Sequence, residues 1–197
     1  MAVLGQNWSL GLLIIAGLIF VETGLVLMPF LPGDTLLFAA GAFLAVTGRS
    51  PPILIATASL AAIAGDTANY SIGRSAIGQQ IVRRRWVKPR HMEQAERWFD
   101  RFGGSTVMIG RFVPIVRTIA PFMAGLAGMR AKRFFAFNIV GGVAWCTLLV
   151  EGGFWLGHVD WLRNHLQWFS LGIAVVSLLP VMIQFLRAGQ HSETANR

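Results

Sequence analysis

Where the chain keeps its charges is the strongest constraint on its fold. Residues 134–150 and 164–186 contain no Asp, Glu, Lys or Arg. A helix of roughly 20 apolar residues crosses a bilayer core. Soluble domains carry about 25% charged residues. This chain carries 13%, with 54% hydrophobic residues and a mean hydropathy of +0.58. The pattern predicts an all-α integral membrane protein, one domain over 1–197. Residues 9–28, 53–73, about 134–157 and 166–187 are long enough for about four transmembrane helices.

The net charge of +8 would suit nucleic acid if it lined one binding face. Instead, most Lys and Arg lie in 74–101 and in "RAKR" (130–133). Short basic loops beside apolar runs are the positive-inside pattern. Nucleic acid is therefore not an expected partner, and 74–103 is expected in the cytoplasm. No Lys or Arg precedes Arg49. The basic start of a secretory signal is missing, so the first apolar stretch is expected to stay. Cys146 is the single cysteine. It excludes a disulfide within the chain, reads as a packing residue, and leaves no metal site or cofactor expected.

Two of the apolar stretches are broken. "MPFLPGDTLLFAAG" (28–41) carries Pro29, Pro32, Gly33 and Asp34, with Glu22 upstream. "IGRFVPIVRTIAPFMAGLAGM" (109–129) carries Pro114, Pro121, Arg111 and Arg117. Each break is followed by a span holding Asn and Gly: Asn69 and Gly73, then Asn138 and Gly142. Paired interrupted segments in corresponding positions point to a transporter site. Non-helical backbone at membrane depth needs protein or a water-filled cavity around it. Two broken segments that enter from opposite faces and meet near the midplane are therefore expected, about 20–46 in the first half (9–73) and about 105–128 in the second (104–187). A second layout stays open, with 13–28 and 34–46 as two arms of one hairpin. Between the halves, Met92, Ala95, Trp98, Phe99 and Phe102 share one helical face. Pro89 suits the first turn, and Glu93 and Arg97 are spaced as an i,i+4 pair. This predicts a cytoplasmic amphipathic helix with its apolar face in the lipid boundary. Residues 188–197 read as a polar tail.

Charges inside a membrane are costly and usually face a partner or an aqueous path. Arginine stays charged and suits bidentate binding of phosphate. A desolvated carboxylate can take up a proton. Arg111 and Arg117 are thus candidates for binding a phosphate headgroup, with Glu22 and Asp34 as proton-coupling sites. The plainer alternative is that these four only pair to hold the broken segments together. Asp66, Asn69, Asn138 and Glu151 are weaker candidates. Ala61, Gly65, Asn69 and Gly73 recur every four positions, a spacing that lets helices approach closely. No serine–histidine arrangement or metal cluster appears, so an enzyme is not expected.

At these residues the chain resembles the DedA family, also called SNARE-associated or VTT-domain proteins. The likeness covers about 9–187 and rests on Glu22 with "PFLPGDTLLFAAG", on "AGDTANYSIGR" (64–74), on "GRFVPIVRTIAPFMAG" and on "FNIVGGVAW" (137–145). The resemblance implies two re-entrant hairpins in inverted repeat and lipid translocation in the bacterial cytoplasmic membrane. The implied cargo is undecaprenyl phosphate, moved in dependence on proton motive force, with Glu22, Asp34, Arg111 and Arg117 at the essential positions. Membrane lipid and protons would be the partners, and a homo-oligomer stays open. The alternatives are a proton-coupled exporter of small cations or drugs, and an assembly factor without substrate.

Overall fold

The computed structural model describes residues 7–24, 33–84, 86 and 89–159. The expected span 166–187, the tail, Pro29 and Pro32 lie outside them. The described residues are helical, with no strand among them. The helices are α1 (Trp8–Gly24), α2 (Gly33–Thr47), α3 (Pro52–Arg74), α4 (Ala76–Arg83), α5 (Pro89–Phe102), α6 (Pro114–Leu126) and α7 (Ala131–Leu156). Short turns at Gly103–Ser105, Thr106–Ile109 and Gly110–Phe112 join α5 to α6.

Among the described residues, α7 alone is long and apolar enough to cross a membrane. α3 has the length, 23 residues, but Asp66, Thr67, Asn69 and Ser71 dilute its apolar character. At 1.5 Å per residue, α1 and α2 are about 25 and 22 Å long, short of a core of about 30 Å. Their inner ends meet at Arg117, which pairs with both Glu22 and Asp34. Their outer ends meet where the Arg49 guanidinium lies over the Trp8 ring, 5.1 Å from its centroid. α1 and α2 thus run antiparallel, close to one another at both ends.

The expected breaks fall unevenly. Gly33 opens α2 and Pro114 opens α6, where proline's fixed φ and missing N–H suit the first turn. Pro121 breaks nothing: it lies inside α6. The turn before it is supported from outside, because Asn69 Nδ2 donates to the Thr118 carbonyl at 2.8 Å. α2 and α6 end alike. Gly48 and Gly128 take φ of 67° and 68°, and each closing turn makes the paired bonds of a left-handed glycine cap: Arg49 N to Leu44 O with Gly48 N to Ala45 O, and Met129 N to Ala124 O with Gly128 N to Gly125 O.

The halves interlock through two matching helix crossings. In one, Gly41 of α2 lies against the Val150 carbonyl, and Gly153 of α7 against the Phe38 carbonyl. In the other, Gly125 of α6 lies against the Tyr70 carbonyl, and Gly73 of α3 against the Phe122 carbonyl. Each glycine touches the carbonyl three residues before its partner glycine, so the two crossings share one geometry. α2 of the first half therefore packs on the long helix α7 of the second, and α6 of the second half on the long helix α3 of the first. This register matches Gly73 with Gly153. It sets Asn69 against Leu149 and Asn138 against Ala58, so the two asparagines are not equivalent, as the shared Asn–Gly plan had suggested.

Part of the α5 face expected in the lipid boundary meets protein instead. Ala95 is fully buried, and Met92 and Phe99 join it against Ile119, Phe122 and Met123 of α6. Glu93 and Arg97 form no ion pair; the described residues contain three, all elsewhere. Cys146 packs in the core among Ile19, Leu37, Ala62 and Val150. Apolar side chains also point outward: Leu13, Leu60 and Leu148 are 68%, 70% and 62% exposed. An apolar exterior on α1, α3 and α7 suits hydrocarbon rather than water.

Candidate functional site

Two buried ion-pair groups lie at the centre of these helices. In the first, Arg117 of α6 forks: Nη2 donates to Glu22 of α1 and Nη1 to Asp34 of α2. A planar guanidinium can hold two carboxylates at once, which a lysine cannot do with the same geometry. The Trp145 ring of α7 lies 5.3 Å from the same guanidinium, within cation–π range. Glu22 is 1% exposed, whereas the Asp34 side chain is 45% exposed. Asp34 is therefore the carboxylate of this group that meets solvent. Gly33 is needed for space as well as for the break, since a Cβ there would collide with Glu22 Oε2.

In the second group, Arg111 Nη2 donates to Asp66 of α3 and, at 2.6 Å, to Asn138 Oδ1 of α7. Asn138 Nδ2 donates to the Ile63 carbonyl at 3.1 Å, so the amide ties α3, α7 and the Arg111 turn together. Gly141 and Gly142 make room for the arginine; a Cβ at Gly142 would stand 3.4 Å from Arg111 Nη1. Of the acids expected to face the arginines, Glu22 and Asp34 both go to Arg117. Arg111 takes Asp66 instead. Asn69 bridges the halves from α3, donating to the Thr23 carbonyl at 3.2 Å as well as to Thr118. Glu151 is half-buried on α7 and joins neither group.

Thr23, Asp66, Arg111, Arg117, Thr118 and Trp145 line a common cavity of about 10 Å³. That is room for a single water at most. Both guanidiniums border it, and each keeps a buried Nε without a hydrogen-bond partner among the described residues. Trp145, Thr23 and Thr118 are not among the candidates the sequence singles out. A signal for Trp145 was present. Asn138, Gly141, Gly142 and Trp145 follow i, i+3, i+4, i+7 spacing, one face of α7. With every group ionised, three carboxylates face two guanidiniums, an excess of one negative charge in a buried centre.

The bridge through Asn69 predicts a stability effect. Asn69→Leu leaves the Thr23 and Thr118 carbonyls without their side-chain donor. The expected cost is about 1–3 kcal/mol, measured as a lower thermal midpoint of the purified protein in detergent.

The VTT domain matches residues 31–154, which include Asp34, Asp66, Arg111, Arg117 and Asn138. The chain belongs to the DedA family. It is 38% identical to Protein DedA of Escherichia coli over 91% of this chain and 83% of that protein. It is 37% identical to an uncharacterized membrane protein of Mycobacterium tuberculosis, over 93% of this chain and 84% of that protein. It is also 34% identical to inner membrane protein YqjA of Escherichia coli, over 84% and 75%. No solved structure matches the chain. This DedA-family membrane protein thus has the charged "PGDT" and "GRFVPIVRT" segments of the sequence resemblance converging, together with Asp66 of "AGDTANY", on one buried centre.

Proposed function

We propose that this protein is a multi-pass carrier in the bacterial cytoplasmic membrane. Its cargo would be an anionic phosphate-bearing lipid, a polyprenyl phosphate such as undecaprenyl phosphate, moved with protons. One observation carries the reading: two buried arginines border a single cavity, each with an unpartnered Nε donor. Phosphate is the chemistry that two converging guanidinium forks suit best. In the layout this supports, the α1–α2 hairpin enters from the outer face. The segment from Gly103 to Leu126 enters from the cytoplasmic face, and α3 and α7 cross.

The charge balance supplies the coupling. One proton shared by Glu22 and Asp34 neutralises the excess charge of the centre. It also weakens one arm of the Arg117 fork. The released donors then face the cavity and can take a phosphate oxygen. Asp34, half in solvent, is the group through which that proton exchanges. The cavity of about 10 Å³ is too small for a phosphate, so this is an occluded arrangement. Loading requires the hairpin arms to part.

The test follows labelled polyprenyl phosphate and a neutral lipid across liposomes holding the purified chain, with and without a pH gradient. Selective, gradient-dependent movement of the phosphate lipid is expected. It should be lost in Arg117→Ala, with retained fold checked by its elution profile. Equal movement of both lipids would mean a non-selective scramblase. The excess negative charge favours a second reading, a proton-coupled exporter of small cations or drugs in which the arginines are structural. Movement of a soluble cation without lipid movement would select it.

A further inference from the structure

The outer surface of α5 is ordered around its circumference. Met92, Ala95 and Phe99 face α6. Beside them, at i,i+4 spacing, come Trp98 and Phe102, with ring centroids 5.1 Å apart. Next is a stripe of Arg90, Arg97 and Arg101, at i, i+7 and i+11. On the far side of the arginines are Glu93, Glu96 and Asp100, all exposed. The helix thus carries three basic and three acidic side chains, but it separates them onto two stripes. Aromatic and arginine stripes together line an open groove of about 600 Å³, bounded by Arg90, Gln94, Arg97, Trp98, Arg101 and Phe102. That volume lies within the range of sites for small organic groups.

The groove's cations are available. All three arginines are exposed, and none pairs with a carboxylate of the described residues. The Arg101 guanidinium lies over the Phe102 ring at 5.1 Å, which holds it along the groove. The helix is anchored beneath: the Thr106 hydroxyl donates to the Trp98 carbonyl at 2.8 Å. Further positive charge stands at the C-terminal end of α5, where a Cβ at Gly104 would meet Arg133 Nε at 2.8 Å.

The order of the stripes matches the order of layers at a membrane surface. Tryptophan and other aromatics favour the boundary between acyl chains and headgroups. Arginines beside them reach the phosphate level, and a separate acidic stripe is left in water. We propose that this groove binds the phosphate headgroup of an anionic bilayer phospholipid. The site is separate from the Arg111–Arg117 centre and does not depend on what that centre carries. Trp98 and Phe102 lie against the upper acyl chain, and Arg97 and Arg101 bond the phosphate.

The probe is phosphatidylglycerol, mixed with phosphatidylcholine in nanodiscs containing the full chain. Lipids retained on release are counted by native mass spectrometry. The protein is expected to retain phosphatidylglycerol preferentially, and Arg97→Gln/Arg101→Gln to lower that preference about ten-fold through loss of two charge-assisted contacts. Glu93→Gln/Glu96→Gln is expected to keep it. Both side chains changed in the first variant are exposed, and Arg101→Gln alone is read the same way if the pair does not fold. Equal retention by the arginine variant and the parent overturns the proposal. So does a loss in Arg117→Lys as large as that in the α5 variant, which would move the lipid to the central site. Displacement by inorganic phosphate at matched ionic strength overturns the lipid assignment in favour of a free anion.

Discussion

Removing the Arg117 side chain as Ala is expected to lower stability by about 3–5 kcal/mol, because it leaves Glu22 buried without its counter-charge. The loss should appear as a fall in the thermal midpoint in detergent. It should be larger than that of Asp34→Asn, whose carboxylate already meets solvent. A double-mutant cycle separates charge from shape. In Arg117→Gln/Glu22→Gln no orphaned charge remains at Glu22, so the pair should be more stable than Arg117→Gln alone. Lipid transfer should be absent in both. Arg117→Lys keeps one positive charge but loses the fork. It is expected to fold and to transfer lipid poorly, because a single ammonium cannot replace two parallel donors. If the double variant is no more stable than Arg117→Gln, the buried-charge account of this centre is wrong.

The second large effect belongs to the glycine crossings. At Gly41, Gly73, Gly125 and Gly153 an added Cβ would run into a backbone carbonyl of the facing helix. Backbone cannot step aside as a side-chain end can. Leucine at any of these positions must push two helices apart, at about 3 kcal/mol or more. Because the crossings share one geometry, Gly41→Leu and Gly125→Leu should cost similar amounts, and so should Gly73→Leu and Gly153→Leu. Leucine at Gly17, whose added Cβ would meet nothing within 4 Å, should be nearly neutral. Thermal midpoints of the five variants test this directly. A crossing that tolerates leucine in one half but not in the other would break the equivalence of the halves.

Much of this architecture is legible in the sequence, for identifiable reasons. Proline and glycine disturb a helix locally, so Gly33 and Pro114 could be read as starting points after a break. Buried charges are rare enough in apolar runs that Glu22, Asp34, Arg111 and Arg117 announce themselves. Partner choice is not local, and there the reading stopped. Which acid meets Arg111 depends on how α3 and α7 are placed, so Asp66 was ranked below the carboxylates that in fact share Arg117. Pro121 looked like a break because its own N–H is missing. Support for its turn comes from Asn69, far away in sequence. Met92, Ala95 and Phe99 of α5 looked lipid-facing because periodicity reports which side of a helix is apolar, not what covers it. Asn69 and Asn138 looked equivalent by their neighbours, and only the crossing register separates them.

The packing of α2 on α7 and of α6 on α3 also bears on how the chain is made. α2 rests on α7, and Gly153 is synthesised more than 100 residues after Gly41. At translation rates of about 5–20 residues per second, α2 waits on the order of ten seconds for the surface that covers it. For most of that interval Asp34 has no Arg117 to meet, and the first half sits in the insertion machinery with its acids unbalanced. Neither half is therefore a self-sufficient unit of biogenesis, and a chain cut between α5 and α6 would regain its core only when both pieces are present together.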